Sequence, residues 1–502
     1  MNFKHYKELA DQFKLGNITT ESFNPKSKTL SSDSNHNLLK ALADLKQIDQ
    51  DAFSILESKK EFLYSIYKKI NASINSKTRI FLCGCGATGR LSLAIETIAL
   101  QMGIKNIKSF MAGGDYALIK SVERFEDRAE YGQRQLEDFN FTKDDILLAI
   151  TEGGETSFVI GAALYASGIS SSQTFFLYCN PDEELKHLDR CRKVFDNPKI
   201  EKVNLTVGPM ALSGSTRMQA SSIQMYTAGL FLLKSFKDYE DFCQYIDQSL
   251  SLFKRTNYDS LEEFIVKESK LYKENKIVTY ISDPALAISV LTDTTERSPT
   301  FNLEPFESTS NDKYSLCYLS VKGAENSIQA WKNLLGREPR DLDWGADFNF
   351  INSQAIYSFD ISSQSIERRD NICENQKFEI TNNQKSISFK FMGSEQVFEF
   401  EDDDLLLKHI VLKVLLNSHS TLIMGRLARY ESNIMTWVRP SNYKLIDRAC
   451  RYVVRLLNLK GIQVDYDHVL EHVYNSQDKF SNSQNSIVLE TVKTFSENAK
   501  LN

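Results

Sequence analysis

Hydrophobic positions along this chain follow two periods, and the switches between them mark its organisation. From residue 37 to 76, Leu38, Leu42, Leu45 and Ile48 recur at helical spacing with charged residues between them, which predicts a long amphipathic helix. Short apolar runs follow, each leading through a loop into a helical stretch. Residues 79–85 predict a first strand with LSLAIETIALQ as its helix, and NIKSFMAGG predicts a second. Residues 145–151 predict a third, with SFVIGAALYASG behind it, residues 174–180 a fourth, and KVNLTV a fifth. Strands and helices alternating at this spacing predict an α/β fold with a parallel, doubly wound sheet, because each crossover helix must cover one sheet face.

The pattern then restarts. KIVTYIS, PALAISVLTDTTER and YSLCYLS repeat the strand–helix–strand order from Lys276, after a charged helical connector over 237–275. Between about 349 and 404 the period changes to two. FEIT and SISFKF flank the turn-prone Asn382-Asn383, and EQVFEFE follows Gly393, which predicts antiparallel strands inserted into the second half. Helices return from Leu405. The Ser-, Asn- and Gln-rich tail from Ser476 is expected to be loosely held at its end. The expected division is a helical segment at 1–76, a first α/β domain at 77–236, the connector, a second domain with its β insertion at 276–404, and a C-terminal helical cap and tail at 405–502.

A chain of 502 residues exceeds one hydrophobic core, in keeping with this duplication. The net charge of −6 provides no basic field to gather nucleic acid or an anionic membrane. No apolar run approaches a membrane span, and the polar start MNFKHYKELADQFK lacks a signal peptide's apolar stretch, so a cytoplasmic location is expected. The eight cysteines read as reduced structural thiols, and the Cys83/Cys85 pair has no second pair at zinc spacing. The seven histidines form no metal-ligand pattern either, so neither a metal nor a cofactor is expected. Asp402-Asp403-Asp404 reads as a loop with a helix N-cap, and His419 as an ordinary helix residue.

Three loops carry candidate chemistry. Gly84, Gly86, Thr88 and Gly89 lie in GCGATGR between a strand and a helix, where backbone N–H groups converge and favour an anion. The G-x-G-x-x-G spacing also fits a dinucleotide site, but that reading wants an acidic residue at the end of the second strand, which here ends in Met111-Ala112-Gly113-Gly114. The loop therefore reads as a phosphate cradle or as a purely structural glycine turn. Gly153, Gly154 and Thr156 lie in a second strand–loop–helix unit, TEGGETS, which on a neighbouring strand would flank the same crevice; simple helix capping is the alternative. Ser213, Ser215 and Thr216, with Arg217, precede another helix and suit a phosphate or sugar hydroxyl, or an ordinary N-cap.

In order, IFLCGCGATGRLSL, MAGGDYALIKSVERFED, AITEGGETSFVIGAAL, CNPD and ALSGSTRMQASSIQ resemble the blocks of the N-acetylmuramic acid 6-phosphate etherases. The tandem arrangement resembles still more the glucokinase regulatory proteins, which have two sugar-isomerase (SIS) domains and a helical lid. TDTTERSPTFNLEPF and MGRLARYESNIMTWVRPSNYKLIDRA extend the resemblance to about residue 460. It implies two flavodoxin-like SIS domains, the first intact and the second degenerate, since the second glycine loop has become Ser282-Asp283-Pro284-Ala285. It also implies that the residues named in the three loops hold a sugar phosphate.

In the etherases a base removes a proton beside the sugar's carbonyl carbon while a second carboxylate assists the departing lactate. The base position falls on Glu126 and the acid position on Ile98; Glu96, about 200° round the helix from it, should face elsewhere. The equivalent acid in the second half is Glu296. The duplicated chain is thus expected to imitate a homodimer, one site combining the first loops and Glu126 with Glu296. Lys120 and Arg124 read as surface charges, Arg439 and Lys444 as solvated charges that could instead close over a phosphate, and Trp437 as core or lid packing. Two functions follow as expectations: a sugar-phosphate sensor that reports to a protein partner such as a sugar kinase, or a carbon–oxygen lyase. Aldose–ketose isomerisation rests only on the breadth of the SIS fold.

Overall fold

A computed structural model of the chain describes all residues except 1, 2, 4–6, 8–13, 123, 124, 310–312, 441, 482–484 and 502. Arg124 therefore lies outside the described residues.

Helix α1 (Leu30–His36) leads into α2 (Leu38–Ala72), capped by Asn37, whose side chain accepts from the Lys40 amide at 3.3 Å. The expected stripe of α2 is buried along with Phe53, Leu56, Leu63 and Ile66. Five parallel strands follow: β1 (Ile80–Gly84), β2 (Ile107–Met111), β3 (Ile146–Ile150), β4 (Thr174–Tyr178) and β5 (Ile200–Asn204). They lie in the order β2-β1-β3-β4-β5, with Ile80 opposite Ile107 on one side and Ile146 on the other. The fifth strand begins two residues before the predicted run, its buried positions being Ile200 and Val203.

Helix α3 (Ala87–Gln101) follows β1, α4 (Ala129–Asp138) precedes β3, α5 (Ser157–Ile169) follows it, and α6 (Gln219–Leu232) follows β5. Alternate residues of β1 and β3 separate the two faces. Ile80, Leu82 and Leu148 pack with α2, α3 and α6; Phe81, Cys83 and Leu147 pack with Phe158 and Val159 of α5. The order in which successive strands are added reverses between β1 and β3, and in such sheets ligands bind outside the carboxyl ends of the strands at that point.

Helices α7 (Tyr239–Arg255) and α8 (Glu262–Lys273) lead to the second sheet. It contains β6 (Ile277–Ser282), β7 (Cys317–Val321), β8 (Asn375–Asn383), β9 (Ser386–Phe391) and β10 (Ser394–Glu399), in the order β10-β9-β8-β6-β7. Helix α9 (Pro284–Phe301) follows β6, and α10 (Ser327–Leu335) follows β7. Here the structure corrects the reading of 349–404. Strand β8 runs parallel to β6, in the place that β3 holds beside β1, and only the β8–β9 and β9–β10 pairings are antiparallel. The insertion thus replaces the last two strands of the sheet rather than standing apart, and the second sheet is mixed, not parallel.

Helix α11 (Leu405–Arg426), capped by the Asp404 side chain at 3.1 Å, is buried along nearly its whole length and packs on α6, α8 and α9. Helices α12 (Tyr443–Leu459), α13 (Tyr466–Ser481) and α14 (Ile487–Leu501) form the cap. The tail expectation changes accordingly: α14 packs on α12 and buries Ile487, Val488 and Val492. Among the described residues no helix is long and apolar enough to cross a membrane.

Candidate functional site

The loop after β1 is shaped by two close approaches and one unusual backbone angle. A Cβ on Gly84 would lie 2.3 Å from the carbonyl carbon of Thr88, and one on Gly89 would lie 2.5 Å from Cβ of Met111. Those glycines let the first turn of α3 fold tightly onto β1 and β2. Gly86, at the N-cap of α3, has φ +55° and open space where a side chain would project, so a ligand could approach its backbone there. The Thr88 hydroxyl is buried and closes the loop, donating to the Cys85 carbonyl and accepting from the Cys85 amide, both at 2.9 Å.

The loop after β3 is tied in the same manner. Thr151 and Thr156 share a 3.0 Å hydrogen bond, the Gly154 amide donates to Thr151 Oγ1 at 3.2 Å, and the Gly153 carbonyl accepts from Asn180 at 2.8 Å. The Thr156 hydroxyl does not cap α5. Glu152 is buried, and one of its carboxyl oxygens has no hydrogen-bond partner. Burial raises its pKa from 4.5 to about 8.

The third loop is held by the cap. The Ser213 carbonyl accepts from Tyr452 of α12 at 2.6 Å, and its hydroxyl donates to the carbonyl of Glu21 at 3.1 Å. The Ser215 hydroxyl is buried without a partner, while Thr216 is half-buried. Arg217 turns from the loop into the interior, where it meets Asp293 at 3.3 Å and Asn417 and Thr421 at 3.0 Å each. Lys413 of α11 donates to the Arg217 carbonyl at 2.6 Å; burial lowers its pKa to about 8.

Four charged side chains from separate elements reach this region. Lys444 of α12 places its ammonium 2.8 Å from Glu155 and 3.3 Å from Glu126. Burial opposes ionisation of Glu155, but Lys444 and Arg190 outweigh it and hold its carboxyl below the usual range. Glu296 of α9 lies 3.4 Å from Arg90 of α3, both buried. Charges on Lys444, Glu296 and Glu126 all bear on the ionisation of Glu152. The groups around the switch point therefore include the carboxyls of Glu126, Glu152, Glu155 and Glu296 and the ammonium of Lys444, beside the amide-lined start of α3.

Among the residues singled out from sequence, Ile98 lies in the core, and Glu96 faces Ser109, Arg337 and Arg340. Arg439 meets Asn302, and the Trp437 ring carries Arg429 at 4.2 Å. In the second half, Asp283 stands at the N-cap of α9 without capping it and accepts instead from the Asn382 amide of β8 at 2.7 Å. Glu152 was missed, and Lys444, which from sequence could have closed over a phosphate, meets two carboxylates instead. A lone lysine on an amphipathic helix reads as solvated; the available signal for Glu152 was a carboxylate two residues beyond a wholly apolar strand. Two cavities, of about 310 and 160 Å³, lie elsewhere, lined respectively by Phe23, Arg451 and Arg455 and by Tyr116, Phe306 and Phe359. Among the described residues no cluster of three or more His, Cys, Asp or Glu is placed to hold a metal ion.

Residues 63–167 match the family model described as the glucokinase regulatory protein N-terminal SIS domain. An N-acetylmuramic acid 6-phosphate etherase of Psychromonas ingrahamii is 32% identical over 214 residues, covering 41% of this chain and 66% of the relative, just under two thirds. One from Francisella tularensis subsp. holarctica is 32% identical over 216 residues, covering 42% of this chain and 68% of the relative. Among solved structures, the C-terminal domain of glucosamine-fructose-6-phosphate aminotransferase from Francisella tularensis aligns over 77% of this chain and 96% of its own, at 9% identity and a TM-score of 0.38.

Proposed function

The chain belongs to the N-acetylmuramic acid 6-phosphate etherase family of SIS-domain proteins, and from that premise we propose that it binds a phosphorylated amino sugar at the β1–β3 switch point and cleaves a lactyl ether by elimination. The observation that carries this reading is that Glu126, 3.3 Å from Lys444, and Glu296, 3.4 Å from Arg90 in the first turn of α3, both bear on the buried carboxyl of Glu152 beside the open backbone of Gly86. Phosphate would meet the N-terminus of α3 with Ser215 and Thr216, because Lys444 is already committed to two carboxylates. Glu126, half-buried beside Lys444, is the proposed base. The same reading divides the chain into SIS domains at 77–236 and 276–404, joined by 237–275 and covered by 405–502.

A second reading, a sugar-phosphate sensor reporting to a protein partner such as a sugar kinase, is favoured by one observation. Cap helix α12 touches the site through Lys444 and, through Tyr452, the third loop, so occupancy and cap position would be coupled. Lactate release from N-acetylmuramic acid 6-phosphate separates the two. The lyase reading expects release by the wild type and its loss in Glu126→Gln with binding kept. Binding without release would leave the sensor; release by Glu126→Gln would move the base elsewhere.

A further inference from the structure

Glu152 is fixed between two strand ends. It stands two residues beyond the end of β3, and its carbonyl accepts the amide of Cys179, just beyond β4, at 2.9 Å. Its side chain lies between loops of the first sheet, close enough to the Cys85 and Cys179 thiols to disfavour their ionisation. The charged groups bearing on it come from elsewhere: Lys444 from α12, Glu296 from α9, and Glu126 from the segment before α4. A buried carboxylate oxygen with no partner is costly, and the group escapes that cost by being neutral or by meeting a ligand. A neutral carboxyl has one O–H to donate. Two neighbouring positions leave that role open: α3 carries Ile98 where the resemblance places an acid, and Glu296 is paired with Arg90.

We propose that Glu152 is the proton donor of this site, a neutral carboxylic acid whose O–H meets an oxygen of the bound sugar. The proposal rests on the phosphosugar reading above. In an elimination, Glu126 takes the proton from the carbon beside the carbonyl and a carbon–carbon double bond forms. The carbon–oxygen bond to lactate breaks, its electron pair passing to the departing oxygen, and Glu152 delivers its proton there. Burial, which keeps Glu152 protonated at neutrality, supports the assignment.

The test pairs binding with turnover on the full chain. Calorimetric affinity for N-acetylglucosamine 6-phosphate is measured from about pH 7 to about pH 9.5, where the phosphate stays doubly ionised. Wild-type affinity is expected to fall by up to roughly 30-fold as Glu152 ionises, while Glu152→Gln, a donor that does not titrate, stays within about threefold. Lys413 titrates in the same window, so a slope that survives in the Gln variant overturns the proposal, as does a flat wild type. An infrared band of a protonated carboxyl, lost from the wild type over this window, is the readout that does not need the variant to fold; absence of that band also overturns the proposal. Lactate release should fall at least about 100-fold in Glu152→Gln; an unchanged rate overturns the assignment. Wild-type binding with this pH dependence but without lactate would retire the lyase and keep Glu152 as the ligand's donor. Failure to bind phosphosugar at all would overturn both.

Discussion

The ammonium of Lys444 lies 2.8 Å from the carboxylate of Glu155, joining the C-terminal cap to the loop after the third strand of the first sheet. Glu155 keeps a second partner, Arg190 at 3.1 Å, so its charge is not abandoned when Lys444 is removed. Lys444→Met should therefore destabilise the chain by about 2 kcal/mol, less than the 3–5 kcal/mol typical of a broken buried pair. Denaturant unfolding checks this, and an unchanged midpoint would mean that the pair holds nothing together.

Two hydroxyls in the candidate site should behave oppositely on truncation. Thr88 makes two hydrogen bonds within its loop, whereas Ser215 makes none. Thr88→Ala should cost about 1–2 kcal/mol of stability, and Thr88→Ser should restore it. Ser215→Ala should leave stability within about 0.5 kcal/mol yet weaken phosphosugar binding roughly tenfold. Equal effects of the two on unfolding would contradict these assignments.

Glu152 and Glu21 should tilt the pH dependence of stability in opposite directions. Burial raises the folded pKa of Glu152 from 4.5 to about 8, so its contribution is present below 4.5 and lost as pH rises toward 8. Glu152→Gln should thus be the more stable protein at pH 8, by on the order of 3 kcal/mol, with the gap closing toward pH 4.5. Thermal unfolding across that range measures it, and a constant gap would exclude a protonated Glu152.

For Glu21, burial opposes ionisation, but Arg448 at 3.0 Å and Arg451 at 2.9 Å outweigh it and hold the carboxyl well below 4.5. Its contribution is fully present above 4.5 and is lost as pH falls through the lowered value. Wild type should lose stability in acid faster than Glu21→Gln, and parallel acid curves would sink this account of how α12 is anchored.

The legible parts of the molecule were local. Glycines and hydroxyls directly after an apolar run announce the loops at 84–89 and 151–157, and the strand β1 shows itself as IFLCG between polar residues. The parallel pairing of β8 was hidden, because alternation in FEIT describes a strand half-exposed on one face whichever way its neighbour runs. Helix α14 was hidden by composition, since only a few apolar residues seat it. The partners of Lys444 and the burial of Glu152 were illegible for a different reason: their environments are made by residues distant in sequence, such as Glu155 for Lys444 and Glu296 for Glu152. Sequence periodicity records which face of an element is buried, and it carries no signal for which charges meet inside.

The most direct measurement is calorimetric titration of the full chain with N-acetylglucosamine 6-phosphate and with unphosphorylated N-acetylglucosamine, beside a Gly86→Val variant. The account predicts binding of the phosphorylated sugar at least about tenfold tighter than the other, and loss of that preference when a side chain blocks the backbone at Gly86. Equal affinity for the two sugars, or phosphate-dependent binding that survives at Gly86→Val, would contradict it.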